Sequence, residues 1–279
     1  MASLTYFQAA KAIESFAADL PGPYGYERSI KITSSGINQN RFLISFPTVA
    51  LSCGVDLTGL LAQLRLPAQA NVDSLLHLTD IVHLGVEASA STCVCKLYGE
   101  NAALMRRLWD EPLDESNLQG SEQSSVLEDL VKVHRALKWE LGSPLLIYSD
   151  YDWLPANDAS QLLAHIKHFS GDFLPVVEAL LPKVHCPISD LHLLRVSEAK
   201  QGRLSLDLNL YDSGLTVQSF IDVLQKSIPN SLASSVKAET EAFASVASEA
   251  LGHIAIGVGR DKDRFLSIYF GAQERGEFL

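Results

Sequence analysis

The sequence repeatedly places two strand-like runs close together and then continues into a helical segment. Strand pairs are predicted at residues 26–33 with 41–51, 81–88 with 92–98, 138–141 with 145–148, 192–199 with 203–211, and 253–259 with 265–270. Short turn-forming segments such as Lys200-Gln201-Gly202 join the two runs of a pair, so each pair is expected to be antiparallel. The pairs recur about every 40 to 60 residues, and self-similarity of this kind constrains the whole architecture.

Helices are predicted at residues 4–20, 57–64, 101–109, 125–137, 160–169, 173–181, 217–228 and 238–251. No linker or low-complexity stretch divides the chain, so the sequence predicts a single domain over residues 1–279. An open sheet of ten strands would leave two edges to protect, and closure into a barrel removes them. The predicted fold class is therefore α+β, a ten-stranded antiparallel β-barrel surrounded by α-helices.

The alternation of residue types predicts which side of the sheet the helices cover. Between residues 203 and 211 the leucines point to one side, and Arg203, Asp207, Asn209 and Tyr211 point to the other. Lys96 and Tyr98 share a face in the same way. Because amphipathic helices need an apolar surface to cover, we expect them on the leucine side, with polar and cationic side chains in the barrel lumen.

Composition excludes several classes of function. The net charge is −11, with 22 Lys+Arg against 33 Asp+Glu, which argues against nucleic-acid binding. No apolar run approaches the length needed to span a bilayer, and the N-terminus lacks the pattern of a signal peptide. The 4 cysteines are too few for a disulfide framework, so a cytoplasmic protein is expected. Cys93 and Cys95 are interpreted as core residues rather than metal ligands.

The motifs that bind nucleotides or magnesium in other enzymes are absent. Neither phosphate-binding glycine pattern occurs, and paired-aspartate magnesium motifs are missing. Asp150-Tyr151-Asp152 is interpreted as a solvated turn.

A lumen with Arg, Lys and Tyr side chains suits an anionic ligand. Buried cations are costly unless a partner compensates their charge, and a diphosphate does so through charge-assisted hydrogen bonds. Tyrosine rings stabilise a developing cation. This combination favours ionisation of an allylic diphosphate, in which cationic groups stabilise the leaving group.

Three patches of the sequence resemble the cyanobactin peptide prenyltransferases of the ABBA-fold superfamily. They are YERSIKIT at 26–33 with NRFLISF at 40–46, GVEAS at 85–89 with CKLY at 95–98, and HIAIG at 253–257 with SIYF at 267–270. The resemblance implies five αββα-type repeats. It also implies transfer of a dimethylallyl or geranyl group from its diphosphate to a side chain of a ribosomally made, probably macrocyclic, peptide. Magnesium is expected as a cofactor with the diphosphate, and no protein side chains are predicted to hold the metal.

The resemblance also assigns the site residues. Glu27 falls on the family's acidic residue near the acceptor, as base or anchor. The predicted diphosphate-binding residues are Arg41, Lys96, Tyr98, Asn209, Tyr211 and Tyr269. Asn209 stands where the family has a lysine, so the cation there is lost or comes from Arg195 or Arg203.

Two other functions stay open at this point. One is an aromatic prenyltransferase acting on a free indole or phenol, and the other is a barrel that binds an isoprenoid diphosphate without turning it over. Each predicted site residue also has a structural interpretation, as a surface charge or an ordinary barrel aromatic. The acceptor residue of a peptide is not identified.

Overall fold

The computed structural model describes residues 5–89, 92–110, 132–154, 156, 158–170, 173–198, 203–227, 243–260 and 262–276; for residues 109, 110 and 168–170 it describes the backbone alone. The chain forms two compact units. The first unit comprises residues 1–26, 43–153 and 274–279, and the second comprises residues 27–42 and 154–273. The prediction of a single domain stays a prediction.

The strands are β1 (Tyr24–Thr33), β2 (Gly36–Asn38), β3 (Arg41–Pro47), β4 (Ile81–Ala88), β5 (Cys93–Glu100), β6 (Lys132–Glu140), β7 (Leu146–Leu154), β8 (Leu193–Ser197), β9 (Leu204–Asn209), β10 (Leu251–Val258) and β11 (Arg264–Arg275). The α-helices are α1 (Tyr6–Ala18), α2 (Leu57–Gln63), α3 (Val72–Leu76), α4 (Ala102–Asp110), α5 (Ala159–Ser170), α6 (Leu174–Leu180) and α7 (Val217–Ser227). Short 3₁₀ helices lie at Thr48–Cys53, Leu181–Lys183, Ile188–Asp190 and Tyr211–Ser213.

The strands are hydrogen-bonded in the order β11-β10-β9-β8-β7-β6-β5-β4-β3-β1-β2, and β11 also pairs with β1. β2 is only three residues long and folds back on β1, where Ile37 pairs with Ile32. Without β2 the pairing order closes on ten strands. The predicted fold class, an α+β ten-stranded antiparallel β-barrel with helices, is confirmed.

The first unit builds its core where α1 packs on β4. The helix begins at a capping box, in which the backbone N–H of Gln8 donates to Thr5 and the backbone N–H of Thr5 donates to the Gln8 side chain. Ile13 is fully buried, and the Phe16 ring lies 5.5 Å from the ring of Phe46 on β3. This packing holds one face of the strands and leaves the opposite face for polar side chains.

The second unit builds its core from the leucine face of the strands and the faces of three helices. Leu206, Leu208 and Leu210 are buried in the same cluster as Phe173 at the start of α6 and Phe220 of α7. The expectation that helices pack on the leucine side is therefore confirmed in this unit. Because side chains alternate along a strand, Asp207 and Asn209 point to the other face.

One predicted helix is wrong. Residues 125–137 were expected to be helical, yet residues 132–137 belong to β6, while residues 125–131 lie outside the described residues. β6 pairs with β5 on one side and β7 on the other, so long-range hydrogen bonds override the local helical pattern. Residue 251, predicted as a helix end, likewise begins β10.

The interpretation of Asp150-Tyr151-Asp152 as a solvated turn is also wrong. All three residues lie in β7, where Asp150 pairs with Arg135 and Tyr151 with His134. Asp152 is buried. The run 203–211 is shorter as a strand than predicted, because β9 ends at Asn209 and Tyr211 begins a 3₁₀ turn.

No helix in the described ranges is long and apolar enough to cross a membrane.

We expect Leu208→Ala to lower the free energy of unfolding by about 2–5 kcal/mol, since it leaves a cavity in the helix-covered core. The matched control is Leu145→Ala, because Leu145 is 49% exposed and its truncation removes little buried surface. Urea denaturation of both variants measures the difference. An equal loss of unfolding free energy in the two variants would contradict the burial of the leucine face under the helices.

Candidate active site

His253 lies at the centre of a group of polar residues in the second unit. It is on β10, paired with Asn209 of β9 and with Tyr269 of β11. The pairing with β11 shifts register between Leu251 and His253, which marks a bulge at Gly252. Bulges redirect side chains, and this one lies beside the histidine.

The His253 ring is held between two carboxylates. Its Nδ1 atom lies 2.5 Å from Asp207 Oδ1, and its Nε2 atom lies 3.4 Å from Glu27 Oε2. Glu27 and Asp207 come from β1 and β9, so strand pairing rather than sequence proximity brings these groups together. Both ring nitrogens face acceptors, which favours the imidazolium form with two N–H donors.

Two opposing effects act on the pKa of His253. Burial lowers the pKa, but the charges of Asp207 and Glu27, and the hydrogen bonds to them, outweigh burial and raise it well above the usual value. The raised pKa favours the imidazolium form of His253, whose charge offsets one of the two carboxylates beside it.

Tyr211 reaches Glu27 from a tight turn. The backbone N–H of Tyr211 donates to Asn209 Oδ1 (3.1 Å), and Gly214 ends the turn at a φ of 72°. The Tyr211 hydroxyl donates to Glu27 Oε1 at 2.5 Å. Burial, followed by the charge of Glu27, raises the pKa of Tyr211, so the phenol stays protonated and remains a donor.

Gly252 makes room for this contact. A Cβ atom at position 252 would lie 2.4 Å from Glu27 Oε1 and 2.6 Å from the Tyr211 ring. The absence of a side chain at the bulge therefore lets the phenol and the carboxylate meet.

Arg41 is buried at the start of β3 and interacts with two residues of β11. Its Nη1 atom donates to Ser267 Oγ (3.1 Å) and its Nη2 atom to the Tyr269 hydroxyl (3.4 Å). The guanidinium carbon lies 5.6 Å from the centre of the Tyr269 ring. The same ring stacks on His253 with a centroid distance of 3.7 Å. The Tyr269 ring thus contacts two groups that can carry positive charge, which an aromatic ring stabilises.

The second unit therefore brings together Glu27, Arg41, Tyr211 and Tyr269, four of the residues predicted from the sequence. Asn209 lies beside them but uses its side-chain oxygen to cap the Tyr211 turn. Arg203 Nη1 lies 3.6 Å from Glu198 Oε1, and its guanidinium lies over the Phe265 ring. A cation supplied by Arg195 or Arg203 in place of the missing lysine stays a prediction. Arg195 is exposed.

Lys96 and Tyr98 belong to the first unit, on the face of β5 opposite the buried Cys95 and Leu97. Lys96 Nζ donates to Glu87 Oε2 of β4 at 2.6 Å. The Tyr98 ring meets the ring of Tyr151 edge-on, with a centroid distance of 6.0 Å. That these two residues serve the same ligand as Arg41 and Tyr269 stays a prediction.

Lys138 is a buried cation that the sequence interpretation missed. It is only 3% exposed, lies directly across from Lys96 on the neighbouring strand, and donates to Ser149 Oγ at 3.0 Å. The alternation along β6 would have pointed to it, but residues up to 137 were assigned to a helix.

A second histidine network occupies the same face of the first unit. His83 Nδ1 lies 2.7 Å from Ser45 Oγ, and His83 Nε2 lies 2.8 Å from Glu100 Oε2. His134 Nδ1 is 3.8 Å from the same Glu100 oxygen. This face therefore carries partly buried acid, base and hydroxyl groups on four neighbouring strands.

The two central cysteines differ in burial, since Cys95 lies in the core and Cys93 is half-buried. Cys95 is fully buried, and burial raises its pKa; burial also raises the pKa of Cys93 to about 11. Both thiols are therefore protonated at neutral pH, which is unfavourable for metal binding or nucleophilic attack.

The carboxylates of the described residues do not form a site suited to magnesium. Among these residues, no three or more His, Cys, Asp or Glu side chains are grouped so that they could hold a metal ion. Glu27 faces His253, and Glu87 faces Lys96, so cations of the chain already face these oxygens.

Comparison with known proteins gives the fold. No protein-family model matches the sequence, and no curated protein matches it either. The structure is similar to the crystal structure of AnaPT from Neosartorya fischeri, with 13% identity, a TM-score of 0.51, and coverage of 88% of this chain and 77% of that chain. It is also similar to the crystal structure of NotF in complex with brevianamide F and DMSPP, with 9% identity, a TM-score of 0.51, and coverage of 88% of this chain and 79% of that chain. The chain therefore has the ABBA prenyltransferase fold that these structures share.

We expect the stability conferred by His253 to depend on pH. A raised folded-state pKa stabilises the protein fully below the unfolded value of about 6.5, and this contribution is lost as pH rises through the folded value. The wild type should therefore have a higher free energy of unfolding than His253→Gln, and the difference should be largest below about pH 6.5. The difference should shrink at alkaline pH. Urea denaturation over a pH series measures it.

Asp207→Asn provides the control for the cause of this shift. Removal of the carboxylate nearest the ring should lower the pKa of His253 while leaving the ring in place. An NMR titration of the His253 ring that gives the same pKa in the wild type and in Asp207→Asn would contradict the assignment of the charge.

Proposed function

We propose that this protein transfers a prenyl group from an allylic diphosphate to an aromatic acceptor. The observation that carries the proposal is the juxtaposition, in the second unit, of buried Arg41 and Tyr269 with the Glu27–His253–Asp207 group. Support also comes from the fold, which is shared with AnaPT and with NotF in complex with DMSPP.

On the donor side, the C–O bond of the allylic diphosphate breaks, and pyrophosphate leaves with the electron pair. Arg41 offers charge-assisted hydrogen bonds to the phosphate oxygens, and the Tyr269 hydroxyl, 3.4 Å from Arg41 Nη2, lies within reach of the same group. Stabilisation of charge where it develops lowers the barrier to ionisation. Lys96, Tyr98, Asn209 and Tyr211 stay predicted diphosphate ligands.

On the acceptor side, the electron-rich ring attacks the allyl cation and forms the new bond, after which Glu27 takes up the proton that leaves the ring or its heteroatom. Glu27 is the group that would accept a hydrogen bond from an acceptor N–H or O–H. One of its oxygens accepts from Tyr211 and the other faces His253, and a carboxylate has about four acceptor positions in all, so positions remain for the acceptor. The proposed acid–base group is thus oriented from two sides.

A free indole or phenol is the acceptor class that we favour, because the similar structure of NotF contains brevianamide F. The peptide acceptor expected from the cyanobactin resemblance stays a prediction. Magnesium also stays a prediction, based on that resemblance alone.

The test is a product assay with dimethylallyl and geranyl diphosphate against free indoles, free phenols, and linear and cyclic peptides, with and without magnesium. We expect a mass gain of one prenyl unit on an aromatic acceptor. Donor binding without any product would favour the non-catalytic isoprenoid-binding alternative. A mass gain on peptides alone would favour a peptide as the acceptor.

We expect Glu27→Gln to lower the rate of transfer about a hundredfold or more. The glutamine keeps the shape of the side chain but removes the carboxylate that takes up the proton. The affinity for the donor should change little. Glu14→Gln is the control, because Glu14 is exposed on α1 and its loss changes the net charge equally. Competition binding with the donor and turnover kinetics separate the two effects.

We expect Gly252→Ala to reduce transfer as well, since the new methyl group would push Glu27 and Tyr211 apart. Gly22→Ala is the matched control, because a Cβ atom at position 22 would meet nothing within 4 Å. Turnover of both variants, with their melting temperatures, tests the expectation. Wild-type turnover in Gly252→Ala would contradict the role of the contact between Glu27 and Tyr211.

A further inference from the structure

Tyr211 presents its phenol to the carboxylate that we propose as the proton acceptor. The hydroxyl donates to Glu27 Oε1 at 2.5 Å, while 43% of the residue is exposed. An external phenol would need the same contact, because Glu27 takes up the proton of the acceptor when the new bond forms. Tyr211 therefore holds, within the chain itself, the position that a phenolic acceptor requires relative to the base.

The position of this phenol is fixed by the turn that carries it. The backbone N–H of Leu210 donates to the carbonyl of Gly252 at 2.7 Å, and the Leu210 side chain is buried. The backbone N–H of Ser213 donates back to the carbonyl of Leu210 at 3.0 Å, which closes the turn. The contact with Glu27 is therefore made by a hydrogen-bonded element anchored on β10.

The donor side of the candidate site begins one aromatic ring away. The Tyr211 ring lies 6.0 Å from the ring of His253, which stacks on the ring of Tyr269 at 3.7 Å. The Tyr269 hydroxyl accepts from Arg41, the side chain that we propose for the diphosphate. An allyl cation released from a diphosphate at Arg41 therefore forms within the same group of side chains as the Tyr211 phenol.

The two phenols of this group differ in the partner of the hydroxyl. Tyr211 donates to a carboxylate, which can take up a proton, whereas the Tyr269 hydroxyl accepts from the guanidinium of Arg41, which cannot. Burial and the charge of Glu27 raise the pKa of Tyr211, so the phenol keeps its proton until its oxygen forms a bond to carbon. Attack assisted by a carboxylate is thus open to the Tyr211 oxygen.

We propose that Tyr211 is an internal acceptor, which takes the prenyl group on its phenol oxygen when no external acceptor occupies the site. The C–O bond of the allylic diphosphate breaks, and pyrophosphate leaves with the electron pair. A lone pair of the Tyr211 oxygen forms the new C–O bond, and the phenol proton passes to Glu27. The inference rests on the proposed function for the donor and adds a modification site to it.

Self-modification has a consequence for turnover. The prenyl ether cannot donate to Glu27, and the added hydrocarbon lies next to the carboxylate that an external acceptor must reach. The modified chain therefore loses transfer to acceptors, and an acceptor that is already bound protects Tyr211. The cyanobactin resemblance predicts this hydroxyl as a diphosphate ligand, a role in which the phenol stays unmodified.

The experiment incubates the wild type with dimethylallyl diphosphate and no acceptor, with and without magnesium, and then applies intact-protein mass spectrometry and peptide mapping. We expect a mass gain of one prenyl unit that maps to Tyr211 and is suppressed by an added aromatic acceptor. Tyr211→Phe should not gain this mass, and Glu27→Gln should gain it about a hundredfold more slowly.

Tyr148→Phe is the matched control, because Tyr148 is 47% exposed but its hydroxyl accepts from the backbone N–H of Asn71. Indiscriminate alkylation by allyl cations that escape into solvent would label Tyr148 and Tyr211 alike. Peptide mapping of the wild type separates the two cases even if Tyr211→Phe does not fold. An unmodified Tyr211, or equal labelling of the two tyrosines, would overturn the inference.

Preincubation with the donor gives an independent measurement. We expect the wild type to lose transfer activity progressively while it is kept with dimethylallyl diphosphate alone. Tyr211→Phe should keep the rate from which it starts, because it has no phenol oxygen to modify. An equal fractional loss of activity in the two proteins would contradict a role of Tyr211 in the inactivation.

Failure of this inference can be told apart from failure of the proposed function. Transfer to an aromatic acceptor by the wild type, with Tyr211 unmodified after incubation with the donor alone, would remove the internal acceptor and leave the function standing. Modification of Tyr211 with no product from any external acceptor would keep the inference and remove transfer to free aromatic acceptors.

Discussion

Buried charge is the constraint on which the candidate site depends. A carboxylate or ammonium group that leaves water for the face of a sheet must find opposite charge there. In the second unit, the His253 imidazolium lies between Glu27 and Asp207 and meets this requirement. In the first unit, Glu87 does the same for Lys96. These contacts set the orientation and the protonation of the groups from which we derive the chemistry.

The apolar side of the sheet makes this arrangement possible. Leu206 and Leu208 pack under the helices of the second unit, and the two-residue period of the strand then directs Asp207 to the opposite face. The helix-covered core thereby anchors the strand that presents the polar group. At one point regular geometry is interrupted, where Gly252 forms a bulge and allows Tyr211 to contact Glu27. Bulges of this kind are common beside functional sites.

Much of the fold was predictable because strand pairs and alternating faces are local properties. The strand pair containing Lys96 and Tyr98 needed only the neighbouring residues for its prediction. The third pair was misjudged, since the run before Lys138 has a helical pattern that pairing with β5 and β7 overrides. Lys138 itself began the strand predicted at 138–141, but its position opposite Lys96 follows only from the pairing of β6 with β5.

By itself, the sequence determined most of the succession of strand pairs and the apolar side of strands such as β9, and a family resemblance pointed to Glu27, Arg41, Tyr211 and Tyr269 as site residues. Only the tertiary structure decided which charges meet. Asp207 and His253 are 46 residues apart along the chain, and Tyr211 and Glu27 are 184 apart. The physical reason is that side-chain alternation is set within a single strand, whereas register depends on hydrogen bonds and packing between distant strands.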